Sequence, residues 1–507
     1  MTTMAKTQRR DFLVNSALLA AGAATAALLP SRASHAAGSS LTELGALAAV
    51  EAMRDGDIKA EDYARTLLDR AQELASLNAF ITLNRDMVLE TARAADKARA
   101  SGAALGRLHG LPIPVKDSVD TKALPTTNGT RALRDFTPKD DAAVLKPLFA
   151  EGAILMGKTN MHELSYGWAS NNLAFGPVHN PYNRDRVPGG SSGGSGAAVA
   201  ARVAPLAIAE DTWGSIRVPA TMCGLAGLRP SFGRYPDDGI MPLTNNKFDQ
   251  VGSVARTVAD LALFDAVVTG EPRQATATPL NGARIGISPE FFFTGLDPEV
   301  ERVSNEALQK LAAAGATLVK AEIPEPAKAA VETAVTIIAF ETVSSITSFL
   351  EQQVRELSFD QMFQEVSANI QDTMKAFAMP PKAPTRDAYE AALVKREKLR
   401  AAIRGYFDAQ GIVALAFPTI LIPPPLIGEE GDVEIRGKKI PFYVAMGRNT
   451  ALGNTASLAC LVLPAGMTSD GLPIGMEFDA LSGKDRDLLS LGLSLEKALG
   501  AAPSPKV

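Results

Sequence analysis

The chain reads as an α/β protein: a central mixed β-sheet covered by helices, with a helical cap or insertion. Three observations predict this. Short apolar runs of strand length alternate with amphipathic helical stretches on both sides of residue 250. Residues 180–240 are rich in Gly, Ser and Pro, yet apolar runs thread them, which argues against a linker. Residues 327–405 carry helical patterning almost throughout.

Taken in order, the first 36 residues stand apart. Thr7-Gln8-Arg9-Arg10-Asp11-Phe12-Leu13 precedes an Ala/Leu-rich stretch, Ser16 to Leu29, and Ser34-His35-Ala36 sets small residues at the −3 and −1 positions of a cleavage site. Paired arginines before Phe-Leu read as a twin-arginine export address. The expectation is a cleaved signal over 1–36, a periplasmic or secreted location, and no stable membrane insertion after processing. The alternative is an uncleaved anchor, for which the apolar run is short and weakly hydrophobic. Residues 37–507 are expected to form a single domain. The net charge of −5 becomes −8 after cleavage, with 47 basic against 55 acidic residues. No basic stripe is visible, so nucleic acid is not an expected partner.

Ala64, Leu67, Leu68, Ala71 and Leu74 recur at helical spacing within Asp62–Ala79, and a second helix is predicted over Arg85–Ala100. Leu111–Val115 is short, apolar and Pro-broken, and ends at Lys116-Asp117. A helix near Ala142–Glu151 leads into a buried strand at Ala153–Met156. Arg284–Ile287 and Thr317–Ile323 read as strands around a helix at Pro298–Ala314. Val413–Phe417 is a strand, and Leu488–Leu499 an amphipathic helix.

The sequence narrows the chemistry before it names any. Cys223 and Cys460 are read as independent core residues. The four histidines, His35, His109, His162 and His179, have no His or Cys neighbour at metal-ligand spacing, so a zinc site is not expected. Gly189-Gly190-Ser191-Ser192-Gly193-Gly194-Ser195 lacks the ending of a phosphate-binding loop. It does contain a Gly-x-Ser-x-Gly, but every histidine lies before Ser191, opposite to the Ser–acid–His order of an α/β-hydrolase. A serine nucleophile would then need Lys or a carboxylate as base. Lys116, at the end of an apolar segment, is easily desolvated. To act near neutral pH its pKa must fall by roughly 3 units, at a cost of about 4 kcal/mol at most. Otherwise Lys116 pairs with Asp117 or reaches water along its stem.

Three segments acquire meaning together: Gly110-Leu-Pro-Ile-Pro-Val-Lys116-Asp117, Gly189 to Ser195, and Asp211-Thr-Trp-Gly-Ser215-Ile-Arg217-Val-Pro219-Ala220. Their order and spacing resemble the amidase signature family. The likeness extends to Gly157-Lys158-Thr159-Asn160, Cys223 to Pro230 and Leu472 to Gly475, and covers most of residues 40–500. The resemblance implies hydrolysis of a small-molecule amide without a cofactor. It implies Ser215 as nucleophile, Ser191 as a bridging serine on a cis peptide bond, and Lys116 as the final base. The N–H groups of Thr212, Trp213, Gly214 and Ser215 would form the oxyanion hole, with Ser192 assisting and Ser195 packing.

One departure is visible. The family usually carries Gly-Gly-Ser at the nucleophile, and this chain has Trp213-Gly214-Ser215. Trp213 either points into the core or walls the acyl pocket; a third reading is a crippled site. Gly233 to Leu243, Phe248-Asp249-Gln250-Val251-Gly252 and Arg448-Asn449-Thr450 are similar to the indoleacetamide and mandelamide hydrolase branch. Aryl or arylacetamide-like amides are therefore expected. A peptide amidase, an anilide or carbamate hydrolase, and a non-catalytic binding protein remain as alternatives, and a homodimer stays open.

Overall fold

The computed structural model describes residues 41–245 and 248–507; the expected signal, 1–36, lies outside them. The chain folds around an eleven-stranded sheet built from β1 (Phe80–Leu83), β2 (Pro112–Lys116), β3 (Ile154–Thr159), β4 (Leu206–Asp211), β5 (Ala226–Arg229), β6 (Gln250–Ala255), β7 (Arg284–Ile287), β8 (Thr317–Lys320), β9 (Ala414–Pro418), β12 (Ala459–Met467) and β13 (Pro473–Ala480). A separate hairpin comprises β10 (Val433–Ile435) and β11 (Lys438–Ile440). The sheet order is β1-β3-β2-β4-β6-β5-β12-β13-β9-β7-β8. β3, β2 and β4 run parallel, as do β9, β7 and β8; the pairings between those two groups are antiparallel. The mixed α/β architecture expected from the alternation is present.

β2, β3, β4, β6 and β13 are buried along their whole length, so they read as continuous apolar runs rather than alternations. The helix over Arg85–Ala100 starts and ends where the sequence places it, capped by the Asn84 side chain on the Met87 N–H. The helix expected to run to Ala79 ends at Glu73, because Leu77 and Asn78 turn the chain into β1. The 327–405 region contains helices at Ala330–Gln353, Phe359–Glu365, Ala368–Phe377 and Arg386–Gln410. Ala330–Gln353 is long and apolar enough to cross a membrane, yet Ile337 and Ile338 are buried in one cluster with Leu399 and Ile403, and Ile346 and Phe349 in another with Phe359 and Met362.

The Gly/Ser/Pro-rich stretch holds more regular structure than its composition suggests. Beside β4 and β5 it contains helices at Gly193–Ala200 and Arg217–Met222. Glycine makes the first of these possible. A Cβ on Gly194 would fall against the carbonyl oxygens of Asn160 and Ala79, and one on Gly190 would lie 2.8 Å from the Trp168 carbonyl carbon. Cys223 and Cys460 are both buried and unbridged.

Candidate active site

Because β2 and β4 are parallel neighbours, their C-terminal ends open on the same side of the sheet, where open α/β sheets place their sites. Lys116 ends β2 and Asp211 ends β4. Lys116 is wholly buried, and its Nζ lies 2.7 Å from Ser191 Oγ and 2.7 Å from Glu210 Oε2. The expected pairing with Asp117 does not occur. Asp117 turns to Lys158 at 3.6 Å, and one of its carboxylate oxygens accepts from Thr127 and from the Gly129 N–H. Lys116 ends β2 and Asp117 opens the turn that follows it, and the two serve different clusters.

Ser191 follows a cis Gly190–Ser191 peptide bond. Its carbonyl accepts from the His162 N–H and from Ser170 Oγ, which fixes the turn. Ser192 donates through Oγ to the Glu210 carbonyl and accepts from the Glu210 N–H; its own N–H reaches the Ser215 carbonyl at 3.3 Å. Ser195, expected only to pack, also donates to the Ile208 carbonyl and contacts Thr159 Oγ1 at 2.8 Å.

The loop from Thr212 to Ser215 has every carbonyl engaged. Asn454 holds that of Thr212, Trp168 Nε1 that of Trp213, the Val218 N–H that of Gly214, and the Ser192 N–H that of Ser215. The Gly214 N–H, one of the four expected oxyanion donors, instead donates to Asp211 Oδ1 at 2.8 Å; a buried carboxylate at the strand end draws it inward. The Ile216 N–H does the same to Oδ2. Among the described residues, no protein acceptor takes the N–H groups of Trp213 or Ser215. Asp211 also meets Arg217 and Arg229. Burial pushes its carboxyl up, but the two guanidiniums outweigh this and hold it well below the usual range.

Trp213 both packs into a buried cluster and lines a cavity beside Ser215. Its ring packs with Phe248, Ala451 and Leu452, donates from Nε1 to the Gly447 carbonyl at 2.8 Å, and meets Trp168 edge-to-face at 5.1 Å. It also lines a cavity with Ser215, Trp168, Leu243, Ile338 and Phe377. The left-handed position in this loop falls on Gly214, at φ +89°, so Trp213 needs no glycine-like backbone.

Three neighbours were not singled out from sequence. Glu210 could have been, by the argument applied to Lys116: it ends the apolar run Leu206–Ala209, where a buried charge needs a partner. Asp249 reaches the site through Thr212. Thr212 Oγ1 lies 3.0 Å from Glu210 Oε1 and 2.6 Å from Asp249 Oδ1. Burial, with the Glu210 charge beside it, pushes Asp249 up to about 6, and both its carboxylate oxygens accept backbone N–H bonds, from Leu243 and Thr244. His162 is buried, and burial together with the Lys116 charge lowers it to about 4. Its Nδ1 accepts from the Ser170 N–H, so the imidazole is neutral and is bonded to none of the three predicted residues through its ring.

A family model described as Amidase matches residues 62–489. The chain is 34% identical to an indoleacetamide hydrolase of Agrobacterium vitis, over 90% of this chain and 97% of that protein. Among solved structures, one amidase superposes with a TM-score of 0.81 at 29% identity, covering 90% of this chain and all of the other. The peptide amidase of Stenotrophomonas maltophilia superposes with a TM-score of 0.76 at 26% identity, covering 91% of this chain and 98% of its own. The chain therefore belongs to the amidase signature family and is a hydrolase acting on amide C–N bonds.

Proposed function

We propose that this hydrolase cleaves aryl or arylacetamide-like amides through an acyl-enzyme on Ser215. The observation that carries the reading is the 2.7 Å contact between Lys116 Nζ and Ser191 Oγ, buried beneath a cavity whose wall bears Ser215. Ser191 passes the Ser215 proton toward Lys116, and the return of that proton to the leaving nitrogen completes acylation. The free N–H groups of Trp213 and Ser215, with Thr212, receive the oxyanion; Gly214 is left out because its N–H is committed to Asp211. Ser192 ties the Ser191 turn to β4 and to the Ser215 carbonyl.

The cavity supports this substrate class. Among the described residues no charged side chain lines it, and Trp168, Trp213, Tyr166, Phe377 and Tyr443 give it flat aromatic walls. An uncharged aromatic acyl group fits those walls, and the indoleacetamide hydrolase relatives support the same class. The twin-arginine pair and the small residues before residue 37 support a periplasmic or secreted enzyme.

Fluorophosphonate should label the purified protein and fail to label Ser215→Ala; persistent labelling of that variant would sink the serine assignment. Lys116→Ala should lose most amidase turnover. In a screen of aryl amides, peptide amides, anilides and carbamates, the arylacetamides should show the highest kcat/KM. Preference for peptide amides would overturn the substrate class.

A further inference from the structure

The cavity beside Ser215 is lined by six residues with side-chain hydroxyls, and four of these are committed within the protein. Ser165 Oγ lies 3.3 Å from Glu210 Oε2, and Thr212 Oγ1 meets Glu210 and Asp249. The Tyr166 hydroxyl meets Thr342, and Thr373 donates to the Asn369 carbonyl. The two indole N–H groups are spent as well, Trp168 on the Trp213 carbonyl and Trp213 on that of Gly447. Among the described residues, the lining hydroxyls left without a protein partner are those of Ser215 and Tyr443.

Tyr443 stands at the start of the helix Phe442–Gly447, one turn before the Gly447 carbonyl that anchors Trp213, so the two share a helix face. It is half-buried and packs against the cluster that holds Trp213. Phe377, which ends the helix Ala368–Phe377, meets the Tyr443 ring edge-to-face at 5.9 Å. Phe377 lines the cavity and is 39% exposed, so this aromatic pair stands where the cavity meets solvent. Water can serve the Tyr443 hydroxyl while the cavity is open. A ring that fills the cavity takes that water away, and a hydroxyl buried without a partner is costly.

We propose that Tyr443 is a specificity-determining residue whose hydroxyl hydrogen-bonds an N–H or O–H carried on the aromatic ring of the acyl group. Ser215 takes the scissile carbonyl, and Tyr443 is the other free hydroxyl in a lining that is otherwise apolar or already paired. The favoured substrates are arylacetamide-like amides whose ring bears a phenol or an indole N–H, over those with a bare hydrocarbon ring. The tyrosine oxygen accepts from either group. A ring without such a group fits the same walls but leaves the hydroxyl unserved. Sites built around a hydrogen bond reject such analogues more strongly than size alone does. This selection rests on the arylacetamide reading above and adds to it where the ring must be polar.

The test measures kcat and KM for two pairs of amides with the wild type and Tyr443→Phe. One pair is 4-hydroxyphenylacetamide and phenylacetamide; the other is indole-3-acetamide and its 1-methyl derivative. The wild type should favour the first member of at least one pair by about fivefold or more in kcat/KM, carried mainly by KM. Tyr443→Phe keeps the ring and should erase that preference, with kcat for phenylacetamide within about twofold of the wild type. A preference that survives in Tyr443→Phe comes from shape alone and overturns the proposal. Equal losses for both members of each pair would make Tyr443 a packing residue, and a wild type with no preference in either pair would leave the hydroxyl without a role; each overturns it. If the wild type turns over none of the four amides, the arylacetamide reading falls instead, and this proposal with it.

Discussion

At the scale of single residues, the site is a set of buried polar groups whose proton inventory is fixed by geometry. His162 is the simplest case. It is held neutral in the fold, lowered to about 4 from an ordinary 6.5, first by burial and then by Lys116. In the unfolded chain it takes a proton below its ordinary value. Stability is therefore intact above pH 6.5 and is lost as pH falls toward 4. At pH 5 the loss attributable to His162 is about 2 kcal/mol. His162→Asn, whose side-chain carbonyl can still accept from the Ser170 N–H, should remove that dependence. Urea denaturation of both proteins at pH 7 and pH 5 checks it; an equal pH 7-to-5 loss in the two would refute the assignment. Lys116 and Ser191 stand out by residue type, a lysine after five apolar residues and a serine in a glycine run, whereas Ser215 is reached only through the resemblance to the amidase signature family. Glu210 and Asp249 were not legible in this way, since each gains its meaning from a partner on another strand or loop.

Among elements, legibility followed packing. Arg85–Ala100 and Pro298–Ala313 were read nearly to the residue, because each shows one apolar stripe to the core and polar residues elsewhere. The helix Gly193–Ala200 was missed because it is buried all round, which leaves no periodic signal, and its glycines suggest a loop. β12 and β13 were missed for a related reason: strands buried on both faces lack alternation. The short helix Phe442–Gly447 has a bearing on substrate choice. A Cβ at Gly447 would lie 2.8 Å from the Trp213 ring, which lines the cavity. Gly447→Ala should therefore displace the indole and reshape that wall. The expected outcome is a several-fold rise in KM for bulky aryl amides with little change for small aliphatic ones. Equal effects on both would show that Trp213 does not wall the pocket.

The whole molecule is joined at one buried ionic cluster beneath the Ser215 loop. Arg217 bonds Asp211, Glu477 Oε1, the Thr450 carbonyl and Asn454, and Arg229 joins Asp211 from β5. Burial pushes the Glu477 and Asp479 carboxyls up, Arg217 notwithstanding. Removing one partner from such a cluster strands the others. Arg217→Met should cost about 3–5 kcal/mol in urea denaturation, whereas a value below about 1 kcal/mol would mean the cluster is dispensable. The mixed sheet was legible from alternation, but its strand order was not. Nothing local to residues 206–229 says that their neighbours in space come from residues 442–480.

That separation bears on how the enzyme comes into being. Arg217 and Glu477 are 260 positions apart in the chain, and Trp213 waits for Gly447 across 234. During synthesis on the ribosome, Arg217 has Asp211 beside it from the start but waits for Glu477. Pairing across such spans is slow and exposes apolar surface meanwhile. The nascent chain thus stays incomplete until its last strands emerge, and a truncation between residues 220 and 477 leaves a chain that has the signature residues but cannot close around them.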